Sequence, residues 1–237
     1  MSNHRPKMLG ILGGMGPLAS AEFLKTIYEY NLPLKSEQDT PKVILYSDPS
    51  FPDRTELLLK GNEIILQNIL LEVLPRLIDL GVTKIIICCI TYHYLLPRLP
   101  QELTQDIISL VDVILNSVLE SPQSYLLLCT KGTIQHKIFQ NHPLWNNAKK
   151  YICLPNLKDR ELIHNTIYKI KQQGKIVQAQ DIITHLKLTY KVDALIAGCT
   201  ELHLLSKSTN NIINSNVNNN RVLDPLILIA QKLKQYL

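Results

Sequence analysis

The chain has 237 residues, 46% hydrophobic and 19% charged, with 25 Lys and Arg against 20 Asp and Glu for a formal charge of +5. That composition supplies a sizeable core and excludes a disordered or collagen-like chain. The positive excess is small and scattered, without a dense basic block, so it argues against a nucleic-acid partner and suits a site that collects small anions.

Residues 1–7 carry basic groups, and the apolar run after them is cut at once by Gly10, Gly13, Gly14 and Gly16. That break comes too early for a secretory signal. Residues 7–12 read as a strand and 18–30 as a helix, followed by a second strand at 42–46. Residues 63–80 have helical spacing, with Ile64, Ile65, Ile69, Leu70, Val73, Leu77 and Leu80 apolar, and Gly81 ends them. Gln67, Asn68, Glu72, Arg76 and Asp79 within that segment exclude a transmembrane helix, so no membrane partner is expected. Residues 84–89 form a continuous apolar run, as in a strand buried on both faces.

The alternation repeats in the second half. Residues 124–129 read as a strand, a helix begins at 133–139, and 151–154 is a strand. Residues 161–173 and 179–187 read as helices, and 194–197 as a strand ending at Gly198. Residues 206–220, rich in Ser and Asn, read as a loop, and 222–237 as a final helix opened by Asp224-Pro225. Strand–helix alternation implies parallel sheets covered by helices. The expected architecture is α/β, with two pseudo-symmetric Rossmann-like domains and the active site in the cleft between them. The first domain comprises residues 1–98 with 215–237, the second 99–214.

The five cysteines, Cys88, Cys89, Cys129, Cys153 and Cys199, are an odd number without an export signal. They read as reduced thiols of a cytoplasmic protein. No CxxC, HExxH or His-x-His spacing is present, so no metal site is expected. A buried cysteine is ordinarily inert, and Cys129 and Cys153 fit that reading. Cys89 and Cys199 differ, because each closes a core strand, is followed by Thr within two residues, and precedes a helical start. Ligands of open parallel sheets collect beyond the carboxyl ends of the strands, and helix N-termini favour thiolate and carboxylate. Two thiols on opposite sides of one substrate could remove a proton from one face of a carbon and return one to the other. A metal or imine-forming cofactor is then unnecessary. His93 reads as a packing or capping residue and Glu201 as a helix cap. The Gly13-Gly14-Met15-Gly16 loop lacks the GxGxxG spacing of a dinucleotide site.

The run from Leu9 to Ser20, containing Gly13-Gly14-Met15-Gly16-Pro17, resembles the opening of the aspartate/glutamate racemase superfamily, in its aspartate racemase branch. Pro52-Asp53-Arg54-Thr55 is similar to that branch's second motif. Cys89-Ile90-Thr91-Tyr92-His93 stands where the family has Cys-Asn-Thr-Ala-His, and Gly198-Cys199-Thr200-Glu201-Leu202 matches its second cysteine motif. Thr130-Lys131-Gly132-Thr133 and Ile167-Tyr168 with Lys171 fall between them in the family's order. The resemblance implies a cofactor-independent amino-acid racemase, acting on aspartate or a relative, assembled as a homodimer. It implies Cys89 and Cys199 as the two acid/base residues, and Arg54 and Lys171 as carboxylate partners. Thr91, Thr130 and Thr200, with backbone amides including those of Ile90 and Tyr92, would cradle the α-carboxylate. The substrate would be a small amino acid or dicarboxylate. Ile90 and Tyr92 depart from the family's Asn and Ala, and the lost side-chain amide removes a hydrogen bond of roughly 1–3 kcal/mol to a charged ligand. Two alternatives stand beside racemisation: a related isomerase of maleate or hydantoin type, and a carboxylate-binding homologue without turnover.

Overall fold

The computed structural model describes residues 7–32, 36–174, 176–212 and 221–237. The first half runs β1 (Met8–Gly13), α1 (Pro17–Asn31), β2 (Lys42–Ser47), α2 (Arg54–Leu59), α3 (Glu63–Asp79) and β3 (Lys84–Ile87). The second half runs α4 (Gln101–Thr104), α5 (Leu110–Glu120), β4 (Tyr125–Cys129), α6 (Lys131–Gln135), α7 (Trp145–Ala148), β5 (Ile152–Cys153), α8 (Leu157–Gln173), α9 (Ile176–Tyr190) and β6 (Ala194–Gly198). It closes with α10 (Leu202–Ile212), β7 (Val222–Leu223), α11 (Pro225–Gln231) and α12 (Leu233–Tyr236). One sheet has the order β2-β1-β3 and the other β5-β4-β6-β7, with every pairing parallel. The fold is the expected two-sheet α/β architecture.

Period-two alternation sends each central strand's side chains into two cores. Leu9, Ile11 and Ile86 of the first sheet and Leu127, Ala194 and Ile196 of the second turn onto one shared core with Phe23, Ile114 and Ile229. On the far side of the first sheet, Met8, Leu12, Ile85 and Ile87 pack against Leu66, Leu70 and Leu77 of α3. On the far side of the second, Leu126, Leu128 and Leu195 meet Ile163, Ile167 and Ile183 of α8 and α9. The two halves are therefore joined through one continuous apolar core.

Several elements differ from the sequence pattern. The elements expected from sequence include no helix between Leu99 and Ser124, yet α5 lies there. Its Leu110, Val111, Ile114, Leu115 and Val118 are buried while Asn116 and Glu120 are exposed, an apolar stripe of helical period. Its local signal is the Ser109 hydroxyl, which accepts from the Asp112 amide at 3.1 Å. The helix expected at 133–139 is only α6, because Lys137 turns left-handed at φ 52°. Residues 206–212, expected as loop, continue α10, whose preceding turn is anchored by buried Leu202 and Leu205. The rest of that expected loop, 213–220, lies outside the described residues. The single helix expected at 222–237 is instead β7, α11 and α12: Val222 and Leu223 are extended because they pair with Leu195 and Ile196. Asp224 caps α11 as its position suggested, accepting from the Leu226 amide at 2.9 Å. Thus β7 adds to the second sheet, while α11 packs on α1 of the first half.

A buried polar chain fastens this junction. His203 Nδ1 lies 2.8 Å from Asp224 Oδ2, and its Nε2 lies 3.0 Å from Thr26 Oγ1. Burial opposes the Asp224 charge, but His203 and the Leu226 amide hold its carboxyl below the usual range.

Candidate active site

The carboxyl ends of β1, β3, β4 and β6 face one cleft, and both expected cysteines sit there. Cys89 follows β3 in extended conformation, at the start of a short 3₁₀ turn over Ile90–Tyr94. Cys199 follows β6 just before α10. Both are 8% exposed, and both line a cavity of ≈ 20 Å³ with Met15, Asp53, Arg54, Thr55, Thr91, Thr130, Ile167, Tyr168, Lys171 and Glu201. A void of that size holds about one water molecule, so the cleft is narrow.

Arg54 opens α2 and is buried. Its Nη2 donates to the Met15 carbonyl at 2.6 Å and its Nη1 to the Pro52 carbonyl at 3.0 Å, while Nε is buried without a partner. Burial works against its charge, but the neighbouring Cys89, Asp53 and Glu201 outweigh that and raise its pKa. The orphaned Nε with the outer edge of Nη2 is the side-on fork that Arg offers a carboxylate.

Cys199 donates from Sγ to Glu201 Oε2 at 2.8 Å. Burial first, then the Glu201 carboxylate, pushes its thiol well above the usual range. Gly16 leaves room for this Glu, since a Cβ there would stand 3.0 Å from Glu201 Oε1. The sequence pattern offers Glu201 only as a cap; its contact with the thiol depends on the tertiary fold.

Four threonine hydroxyls meet across the cleft. Thr91 Oγ1 lies 3.4 Å from Thr130 Oγ1 and 3.2 Å from Thr133 Oγ1, and Thr55 Oγ1 donates to Thr130 Oγ1 at 3.4 Å. Thr130 and Thr133 belong to the second half, Thr55 and Thr91 to the first. Gly132 permits this approach, because a Cβ there would fall 2.9 Å from Thr55 Oγ1.

Lys171 and Tyr168, one turn apart on α8, converge on Asp53. Tyr168 Oη donates to Asp53 Oδ2 at 2.7 Å, and Lys171 Nζ stands 3.4 Å from the same oxygen. Burial raises the Asp53 pKa, but the Glu56 amide, Tyr168 and Lys171 prevail and hold the carboxyl below its usual range.

Of the residues singled out from sequence, Cys89, Cys199, Arg54, Thr91, Thr130 and Lys171 therefore meet at one cavity. Ile90, Tyr92 and Thr200 do not line it. Ile90 packs into the shared core and Tyr92 into the core under α3, on the opposite side. The Tyr92 hydroxyl is buried without a partner. Thr200 donates to the Cys88 carbonyl at 3.0 Å, tying the two cysteine loops together. Asp53, Thr55, Thr133, Tyr168 and Glu201 join the site without having been assigned a place in it from sequence. Cys88 and Cys129 are buried in the shared core; burial raises both thiols, that of Cys129 to about 12.

His93 is a packing residue, as its place in sequence suggests. Its Nε2 accepts from the Leu110 amide at 2.9 Å, which leaves Nδ1 to donate to the Cys89 carbonyl at 3.2 Å. Burial lowers its pKa to about 4. Neutral His93 thus contributes stability that is full above about pH 6.5 and is lost as pH falls through about 4, a difference of about 3 kcal/mol. Chemical denaturation of the native protein across that window is expected to show this loss, and His93→Gln to flatten it. An unchanged slope in that variant would contradict the assignment.

Comparison with known proteins places this geometry in context. The sequence model for Asp/Glu/hydantoin racemase matches residues 12–233. The broad specificity amino-acid racemase RacX of Bacillus subtilis is 24% identical over 201 residues, covering 83% of this chain and 86% of that protein. Among solved structures, the Picrophilus torridus aspartate racemase superposes with a TM-score of 0.78 at 24% identity, covering 97% of both chains. The glutamate racemase of Francisella tularensis, in complex with D-glutamate, gives a TM-score of 0.63 at 18% identity, over 97% of this chain and 80% of that one. Among the described residues, no helix is long and apolar enough to cross a membrane.

Proposed function

The chain belongs to the Asp/Glu/hydantoin racemase family, and from that premise we propose that it racemises an amino acid, aspartate or a relative, without pyridoxal phosphate, by proton transfer between Cys89 and Cys199. What carries the reading is a single observation: one thiol from each half faces the same cavity, with Arg54 and Lys171 beside them. Cys199 is the resting acid, because its thiol donates to Glu201 Oε2 and keeps its proton. Cys89, which lines the same cavity beside Arg54, serves as the base on the other face.

The α-carboxylate of the substrate occupies the free Arg54 edge and the threonine hydroxyls. Cys89 as thiolate takes the α-proton from one face and becomes a thiol. The negative charge left on the substrate spreads into the carboxylate, where fixed donors stabilise it. Cys199 gives its proton to the opposite face and becomes a thiolate, while Cys89 keeps the proton it took, so the enzyme stands ready for the other enantiomer. Net proton count is unchanged in each turnover.

The same proposal includes a homodimer and a cytoplasmic location. Five unpaired thiols suit a reducing compartment. On α3, exposed Ile64, Leu71 and Ile78 recur every seven residues on one face, flanked by the Glu72–Arg76 ion pair. A second copy packed antiparallel would cover that stripe and set each pair against its symmetry mate. Sedimentation at twice the chain mass, reduced to one chain by Leu71→Glu, is the expected result; a single-chain mass for the unaltered protein contradicts the dimer.

Chiral chromatography of amino acids incubated with the protein tests the activity. Racemisation of aspartate or a related amino acid is expected to survive treatment with hydroxylamine, which strips pyridoxal from enzymes. Activity that appears only on adding pyridoxal phosphate would overturn the reading.

A further inference from the structure

The buried chain Thr26–His203–Asp224 lies behind the second cysteine loop. Cys199 and Glu201 line the cavity, and α10 begins at Leu202 and packs against α1. His203, about one turn beyond Cys199, is wholly buried, its ring edge-on to Phe23 of α1 at 6.1 Å. The His203 amide donates to the Thr200 carbonyl at 3.0 Å, and the Leu204 amide to the Glu201 carbonyl at 3.2 Å. Backbone bonds therefore hold His203 in one turn with Thr200 and Glu201. Successive helical residues differ by about 100°, so Glu201 faces the cleft while His203 faces α1.

Counting hydrogens fixes the direction of each bond. Thr26 Oγ1 gives its one hydrogen to the Glu22 carbonyl at 2.8 Å, so it accepts from His203 Nε2 at 3.0 Å. The Asp224 carboxylate accepts from Nδ1 at 2.8 Å through Oδ2, while Oδ1 caps α11 at the Leu226 amide, 2.9 Å away. The ring thus donates from both nitrogens, to α1 on one side and to the α11 cap on the other. A bond to an ionised acceptor is of the stronger kind. Thr200, bonded to the Cys88 carbonyl at 3.0 Å, ties the same turn from the front.

We propose that His203 is a positioning residue, which sets Cys199 and Glu201 against one face of the substrate by fastening the first turn of α10 to α1. This inference rests on the two-thiol racemase reading and deepens it. His203 touches no substrate and carries no proton in the reaction; it acts through the turn. A misplacement of about 1 Å in a reacting group costs up to about 10²-fold in rate. Loosening this turn therefore falls on Cys199, while Cys89, which follows β3 of the other sheet, is spared.

Two variants of the full chain test it. His203→Phe keeps a ring against Phe23 and removes both bonds, whereas Thr26→Val removes only the α1 partner at nearly unchanged shape. In the native protein burial and Glu201 hold the Cys199 thiol protonated. Alkylation by iodoacetamide at neutral pH, followed peptide by peptide, is expected to speed up at Cys199 and to stay unchanged at Cys89. A thiol that falls back by one pKa unit gains about tenfold in thiolate; a rise of that size is expected in His203→Phe, and a smaller one in Thr26→Val. Racemisation by His203→Phe is expected to slow about tenfold or more. Solvent exchange of the α-proton that Cys89 removes is expected to stay near native, so exchange outruns inversion. Native alkylation rates at Cys199 in both folded variants, or an equal rise at both thiols, would overturn the proposal. A rise at Cys199 alone, with no α-proton exchange by the native protein, would overturn the racemase reading and leave the positioning role standing.

Discussion

Replacing either cleft cysteine is expected to abolish racemisation while leaving one half of the reaction visible. Cys199→Ser retains Cys89 as base, so the α-proton of a single enantiomer should still exchange with solvent. Cys89→Ser should exchange only the other enantiomer, and more slowly, because the remaining thiol is held protonated by burial and by Glu201. A positioned acid or base contributes roughly 10²–10⁴-fold, so each variant should lose interconversion by at least about 10²-fold. Both side chains are small and the oxygen occupies less space than sulfur, so folding should be retained. Mass spectrometry of each enantiomer in deuterated water reads the result. Equal exchange of both enantiomers in a single-cysteine variant would contradict the assignment of one thiol to each face.

The second large effect is expected at Arg54. Its guanidinium satisfies carbonyls of Met15 and Pro52 and leaves Nε and part of Nη2 for a ligand. A lysine ammonium cannot reproduce that planar division of donors. Arg54→Lys should therefore lower kcat/KM by about 10²-fold, since the carboxylate fork is lost even though the ammonium keeps a positive charge. It should also lower the unfolding free energy by about 1–3 kcal/mol through the stranded carbonyls. Steady-state kinetics beside a denaturation curve separates the two losses. Wild-type kinetics in this variant would show that the guanidinium edge does not hold substrate.

The cysteine positions were readable because strand-end chemistry is local: a run such as Ala194–Gly198 followed by Cys-Thr-Glu announces a strand, its end and the residue presented there. Arg54 and Lys171 were legible through motif resemblance, whereas composition alone would leave both as solvated charges. The contacts among Asp53, Tyr168 and Lys171 carry no short-range signature, because residues more than a hundred positions apart meet only after the halves close. Glu201 illustrates the same limit: its type and spacing suit a cap, and only folding brings Cys199 to its carboxylate. Ile90 and Tyr92 were placed by their neighbourhood to Cys89, yet the 3₁₀ turn directs their side chains into separate cores. Any part they take in the cradle falls to their backbone amides. In α5, the helical stripe of Leu110, Ile114, Leu115 and Val118 against exposed Asn116 and Glu120 was legible in the sequence, with Ser109 as its cap. By contrast, β7 is two residues long and exists because β6 offers it an edge.

The central claim is that the two-thiol cleft moves a proton at an amino acid's α-carbon. Proton NMR of L- and D-amino acids incubated with the unaltered protein in deuterated water tests it directly. The account predicts loss of the α-proton signal from both enantiomers of aspartate or a close relative, with the two enantiomers approaching equal amounts. Full retention of every α-proton signal across acidic, neutral and basic amino acids, with the protein folded and its thiols reduced, would contradict it.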